Sequence, residues 1–242
     1  KNNNLLNEET VDLIYSSHQD RGPDEFNRII ENDWMMVHTR LSITSPQSGH
    51  QPICNKSKKV YMVFNGEIYN YKSLANKFRL NFSKEIKFSD TDVLFKLIEK
   101  IGFFETLKNL RGMFAIIYYD LSNKKIYLAR DHFGQKPIWI YEKDGLIAIS
   151  STLKSIVELF KPSIENNNFI HLISKQGKSC PSKSFYKNVY GLRAGEVMEI
   201  DDDLQKKTSK FFSYEDLIDF EIYRNNLVFS VNNLDQQIRE TI

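Results

Sequence analysis

The chain has 242 residues and a mass of 28.4 kDa, which suits one large domain or two small ones. Hydrophobic residues make up 41%, enough to form a packed core, so a disordered chain is excluded. The longest apolar run, Met113 to Tyr119, is far short of the roughly 20 residues a membrane helix needs, and a net charge of +2 leaves no basic footprint for nucleic acid.

Asn7 precedes Glu8, Glu9 and the apolar positions Val11, Ile14 and Tyr15. This predicts a capped helix with acids in its first turn, broken by Gly22 and Pro23. Trp34 to Thr39 alternates as a short strand, mostly apolar on both faces. Val60 to Phe64 predicts a second strand, stopped by a tight turn at Asn65-Gly66. A helix fits Tyr69 to Phe78. Another starts at Ser89 or Asp90, with Val93, Leu94, Leu97 and Ile98 on one face. Two hairpins follow, Met113 to Tyr119 with Lys125 to Arg130, and Ile138 to Glu142 with Leu146 to Ile149. Ser151 to Phe160 predicts a helix. Beyond Lys175 the chain turns polar, with short strands near Phe185 and at Val197 to Ile200. Asn226 to Ile242 reads as a helix without a stop signal, so the chain is expected to be a piece of something longer. Hairpin-joined strands with interleaved helices predict an α+β fold with mainly antiparallel sheets.

Cys54 and Cys180 cannot form a disulfide framework, so a reducing, cytoplasmic setting is expected. His38, His50 and His132 lack metal-ligand spacing, and no metal site is expected. His18 and His171 are expected at the surface or as satisfied core residues. Lys56 to Lys59 and Lys206-Lys207 are expected to be solvated loop tips.

Three clusters admit chemistry beside a plain structural reading. Asn65-Gly66 can be a turn, or an amide side chain beside an exposed Gly N–H, which makes an oxyanion hole. Arg40, in Arg40-Leu41-Ser42-Ile43, can be a surface ion pair or a fork for a small carboxylate. Asp90, in Ser89-Asp90-Thr91-Asp92, can be part of a helix cap or can grip an ammonium. Arg40 and Asp90 together would suit an α-amino acid, one partner for each charge.

These clusters fall into a longer ordered series. Asp20-Arg21-Gly22-Pro23-Asp24 and Arg40-Leu41-Ser42-Ile43 come first, then Gly49-His50-Gln51-Pro52, Phe64 to Asn70 and Ser89 to Asp92. Leu110 to Ala115 and Leu128 to Pro137 complete it, with a weak continuation at Gly191 to Gly195. The series resembles the glutaminase domain of glutamine-hydrolysing asparagine synthetases, a class II glutamine amidotransferase. The resemblance implies an N-terminal-nucleophile fold, a four-layer αββα sandwich. It implies a glutaminase domain over residues 1–200 and, over 201–242, a linker and the first helix of a synthetase domain. By resemblance, Asn65 and Gly66 form the oxyanion hole and Arg40 and Asp90 hold the two charges of L-glutamine. Glu67 and the backbone at Leu41 and Ile43 complete the pocket. The partners implied are L-glutamine and a C-terminal ATP-dependent synthetase domain, with no nucleic acid and no membrane, and with a homodimer as an open alternative. No cofactor is expected in this domain; ATP and Mg belong to the synthetase domain.

The series also departs from the family. The family's nucleophile is an N-terminal Cys, whose own α-amine acts as base. This chain has no Cys at or near Lys1, and neither Cys54 nor Cys180 offers a free α-amine. Either a first strand of about five to ten residues is absent, or the domain is a degenerate, non-catalytic scaffold. Asp20 stands in place of the usual His, Thr152 in place of an acid, and the pyrophosphate-binding loop of the synthetase domain is absent.

Overall fold

A computed structural model describes residues 5–41, 48–82, 88–164 and 182–213. The chain divides into two units, Lys1–Phe211 and Phe212–Ile242, and every element named below lies in the first. The helix expected over Asn226 to Ile242 lies outside the described residues, as do Ile43, His171 and Cys180.

Helix α1 (Glu8–His18) starts where Asn7 Oδ1 accepts the Thr10 N–H at 2.8 Å. Strands β1 (Glu25–Ile30) and β2 (Met35–Arg40) form a hairpin, with Glu25 opposite Arg40. β3 (Ile53–Cys54), β4 (Val60–Ile68), β5 (Gly112–Asp120), β6 (Lys125–Arg130), β10 (Glu196–Ile200) and β11 (Lys206–Lys210) build a six-stranded antiparallel sheet. Its order is β11-β10-β6-β5-β4-β3. β7 (Trp139–Lys143), β8 (Leu146–Ser150) and β9 (Val189–Gly191) make a second antiparallel sheet in the order β8-β7-β9. The remaining helices are α2 (Tyr71–Lys77), α3 (Asp90–Ile101), α4 (Phe103–Asn109) and α5 (Leu153–Phe160).

The period of two along each strand sorts these elements into layers. Met62, Phe64, Phe114 and Ile116 face Leu74, Leu94, Leu97 and Leu107 of α2, α3 and α4. The alternate residues Ala115, Leu128, Met198 and Ile200 face Ile138 and Ile140 of the second sheet. Tyr141 and Val189, on that sheet's far side, pack on Ile156 of α5, which also contacts α1. Three apolar seams therefore join four layers in the order helix, sheet, sheet, helix, the expected αββα sandwich. Truncating a fully buried residue such as Leu97 to Ala would cost about 2–5 kcal/mol. No helix among the described residues is long and apolar enough to cross a membrane.

Two expectations are corrected. Asn65-Gly66 is no turn: β4 runs through it from Val60 to Ile68, paired with β5 throughout. Gly66 has φ +151°, and a Cβ there would lie 2.0 Å from the Met113 carbonyl oxygen, so Gly is required by close approach of β5 rather than by a reversal. The second concerns the boundary placed at residue 200. β11 lies beyond it, yet pairs with β10, so the first unit runs on to Phe211.

Candidate active site

Among the described residues, strand β4 has one edge on β5 and another that β3 covers at Met62 and Tyr61. An antiparallel ladder points successive N–H groups to opposite edges, so those of Phe64, Gly66 and Ile68 leave on the side away from β5. Side chains cover two of the three. The Phe64 N–H donates to Gln51 Oε1 at 2.5 Å, and the Ile68 N–H donates to Asp90 Oδ2 at 3.0 Å. Gly66 stands between them.

The Asn65 side chain projects to the other face of the sheet from Phe64, into the space between the two sheets. Its Nδ2 and the Ser48 hydroxyl are buried atoms for which no hydrogen-bond partner is present among the described residues. Buried donors are nearly always paired, so each orphan calls for an explanation.

Arg40 ends β2. Its guanidinium donates to Glu25 Oε2 at 3.1 Å and to the Ser48 carbonyl at 2.6 Å, and its side chain is only 12% exposed. Glu25 also accepts from His50 Nδ1 at 2.7 Å and from Asn27. Burial pushes the Glu25 carboxyl up, but hydrogen bonds from His50, Arg40 and Asn27 outweigh it and hold it below its ordinary range. Next to Ser48, Gly49 is pressed against the start of α3, where a Cβ would lie 2.5 Å from Ser89 Oγ.

That helix start settles which residue caps it. Ser89 is the N-cap: its hydroxyl accepts from Asp92 N–H, and Asp92 reaches back to Ser89 N–H. Asp90 is thereby free to turn to β4, where it takes the Ile68 N–H while accepting from Thr91 N–H at 2.9 Å. Burial raises its carboxyl above the ordinary range, against the two backbone bonds, and nearby Glu67 adds to the rise.

The structure thus brings Asn65, Gly66 and Asp90 to one strand edge and ties Arg40 to it through Ser48 and Gly49. Glu67 and Leu41 are exposed beside these residues, while Ile43 lies outside the described residues. Sequence reasoning missed Glu25, Ser48 and Gln51. The quoted Gly49-His50-Gln51-Pro52 motif was the signal for Gln51; Glu25 and Ser48 offered none, being joined to Arg40 only by folding.

On the other side of Asn65 lies a cavity of about 550 Å³ between β2 and β8. Val63, Asn65 and Ala115 form part of its floor, with His38 of β2 and Ala148 and Ser150 of β8 at its sides. β2 pairs only with β1, and β8 only with β7, among the described residues. The cavity is therefore flanked by two strands that each lack a neighbour. Arg40 and Asp90 do not line it. Burial pushes the His38 imidazole down to about 4, despite attraction to Glu25 and its bond to the Phe64 carbonyl. Among the described residues no cluster of His, Cys, Asp or Glu could hold a metal ion.

A profile of glutamine amidotransferase domains matches residues 2–212. Asparagine synthetase [glutamine-hydrolyzing] 2 of Bacillus subtilis is 31% identical over 218 residues, covering 86% of this chain and 28% of its own length. A putative asparagine synthetase [glutamine-hydrolyzing] 2 of Methanocaldococcus jannaschii is 30% identical over 234 residues, covering 88% and 44%. The chain thus spans less than half the length of these relatives. The solved structure of an allosteric regulatory enzyme of purine biosynthesis superposes with a TM-score of 0.53 at 19% identity, covering 76% of this chain and 36% of that one.

Proposed function

This chain belongs to the glutamine amidotransferase domain family, and from that premise we propose that it is the glutamine-hydrolysing domain of an asparagine-synthetase-like protein, releasing ammonia from L-glutamine for an ATP-dependent synthetase domain. What carries the reading is the Asn65 amide nitrogen, a buried donor without a hydrogen-bond partner among the described residues, beside Gly66 on a stretch of edge that no described strand covers.

In this reading Arg40 holds the substrate α-carboxylate and Asp90 its α-ammonium, with Glu67 and the main chain at Leu41 and Ile43 completing the pocket. The nucleophile is a Cys on a further strand, seated between β2 and β8. The cavity there supports this, since it offers two unpaired neighbours and has Asn65 in its wall. A strand of about 5–6 residues is of ordinary length for such a place. Cys54 does not serve: it is exposed, on β3, at the outer edge of the six-stranded sheet.

The thiol gives its proton to the α-amine of the same Cys, and sulfur adds to the amide carbon. The amide oxygen takes the electron pair, and Asn65 Nδ2–H and Gly66 N–H receive that charge. Collapse expels ammonia, which takes the proton back from the ammonium. Water then splits the thioester and glutamate leaves. No cofactor enters these steps; ATP and Mg act in the synthetase domain, and we place the protein in the cytoplasm.

Glutamate release from glutamine tests the reading. The full-length protein should release it, and the polypeptide 1–242 should release none above a protein-free blank. Release by 1–242 would sink the assignment of the nucleophile to a further strand. A full-length protein with no release would instead leave the domain as a non-catalytic scaffold for its synthetase partner.

A further inference from the structure

We propose that Gln51 is a positioning residue for the oxyanion hole, aiming Asn65 through the Phe64 backbone; the inference deepens the glutaminase reading and rests on it. Gln51 is 5% exposed, and both ends of its carboxamide are spent on a single residue. Its Oε1 accepts the Phe64 N–H at 2.5 Å, and its Nε2 donates to the Phe64 carbonyl at 3.0 Å. A carboxamide carries the same donor and acceptor as a peptide unit. β3 stops covering β4 at Met62, and the Gln51 side chain supplies the next rung of the ladder in place of a strand.

The rung falls one residue before the catalytic amide. The Phe64 carbonyl belongs to the peptide plane that joins Phe64 to Asn65, so whatever fixes that oxygen fixes the plane from which the Asn65 side chain departs. His38 of β2 also lies near the Phe64 main chain, and both residues line the same cavity. Among the described residues Asn65 Nδ2 has no hydrogen-bond partner to hold it. Its aim is therefore inherited from the backbone behind it. Donors in such a site must stay within about 0.5 Å of their productive place.

A purely structural Gln51 would satisfy an exposed strand edge and do nothing more. The two roles separate in a double-mutant cycle on the full-length protein, with glutamate release as the readout. Gln51→Leu should lower kcat by about 10–100-fold, the cost of misplacing a catalytic group by a fraction of an ångström to one ångström. KM for glutamine should stay within about twofold, because Arg40 and Asp90 hold the ground state. In an Asn65→Ala background, where no amide remains to be aimed, Gln51→Leu should change kcat by less than about twofold. Equal losses in both backgrounds, or a KM that rises as kcat falls, would overturn the inference. If Gln51→Leu does not fold, Gln51→Glu carries the same cycle above neutral pH, since it keeps an acceptor for the Phe64 N–H and sets a carboxylate oxygen in place of the donor to the carbonyl. A parent protein that releases no glutamate, or an Asn65→Ala variant with normal kcat, removes the glutaminase reading and this inference with it. An additive cycle on an impaired Asn65→Ala background removes the inference alone.

Discussion

The corner at Arg130-Asp131 and the strand edge at Asn65-Gly66 are both built from polar groups taken out of water, and they are finished in opposite ways. Asp131 is fully buried and accepts from the backbone N–H groups of Phe114, Phe133, Gln135 and Lys136. Beside it, the Arg130 guanidinium donates to the carbonyls of Gly134, Lys136 and Leu192, binding the loop after β6 to the approach to β10. At the strand edge, the Asn65 amide nitrogen and the Ser48 hydroxyl have no hydrogen-bond partner among the described residues. A buried polar group with all its partners rigidifies a fold; one without them costs stability. The first region spends its polar groups on the fold, and the second leaves donors over.

The largest effect that could break this contrast is at Asp131. Asp131→Ala strands several backbone donors at once, each costing about 1–3 kcal/mol, so a denaturant titration should show a loss of at least about 3 kcal/mol. Asn65→Ala should show the reverse pattern in the full-length protein. Its kcat should fall about 10²–10³-fold with little change in KM, while the midpoint of unfolding holds or rises. A loss of stability like that of Asp131→Ala would place Asn65 in the scaffold, and a raised KM with normal kcat would assign it to substrate binding.

His38 gives an effect of intermediate size. Its folded imidazole titrates at about 4, because burial opposes the charge, against an ordinary value of about 6.5. Between those values the unfolded chain binds a proton that the folded chain refuses. Stability is therefore complete above about pH 6.5 and falls with pH down to 4, by up to about 3 kcal/mol. His38→Gln should flatten most of that slope in unfolding curves taken across the range; an unchanged slope would show that the imidazole is not the group responsible.

The smallest effect sharpens the contrast within the site itself. Arg40→Ala should raise KM for glutamine at least about tenfold with the fold intact, because Glu25 keeps His50 and Asn27 as partners. Asp90→Asn should do likewise, since Asn still offers an acceptor to the Ile68 N–H. Global unfolding in either variant, rather than a weakened KM, would assign these residues to packing.

Much of the fold was legible where local chemistry decides it. Asn7 and Ser89 announce helix starts by capping, and turn residues punctuate the β5–β6 and β7–β8 hairpins. β11 was not legible: Lys206–Lys210 is exposed at every position and has no apolar period to read. α4 is a single short helix packed directly after α3, too brief for its pattern to stand out. Asn65-Gly66 misled because its local preference is for a turn, while nine residues of pairing with β5 hold it extended. In the site, residue types and order identified Arg40, Asn65, Gly66 and Asp90 as candidates. Their support by Glu25, Ser48, His38 and Gln51 was not readable, because these contacts join segments that only tertiary folding brings together.

One consequence concerns the company the molecule keeps. An uncovered strand edge is an invitation to another chain, which can add its own strand to the sheet. Along β4 the rungs beyond Met62 are taken by the carboxamide of Gln51 and the carboxylate of Asp90, which bond the main chain but cannot be extended by a further strand. The rungs on either side of Gly66 are thus closed to a neighbour's backbone. Side chains standing in for a strand let β4 outrun its strand partner β3 without becoming a seed for aggregation.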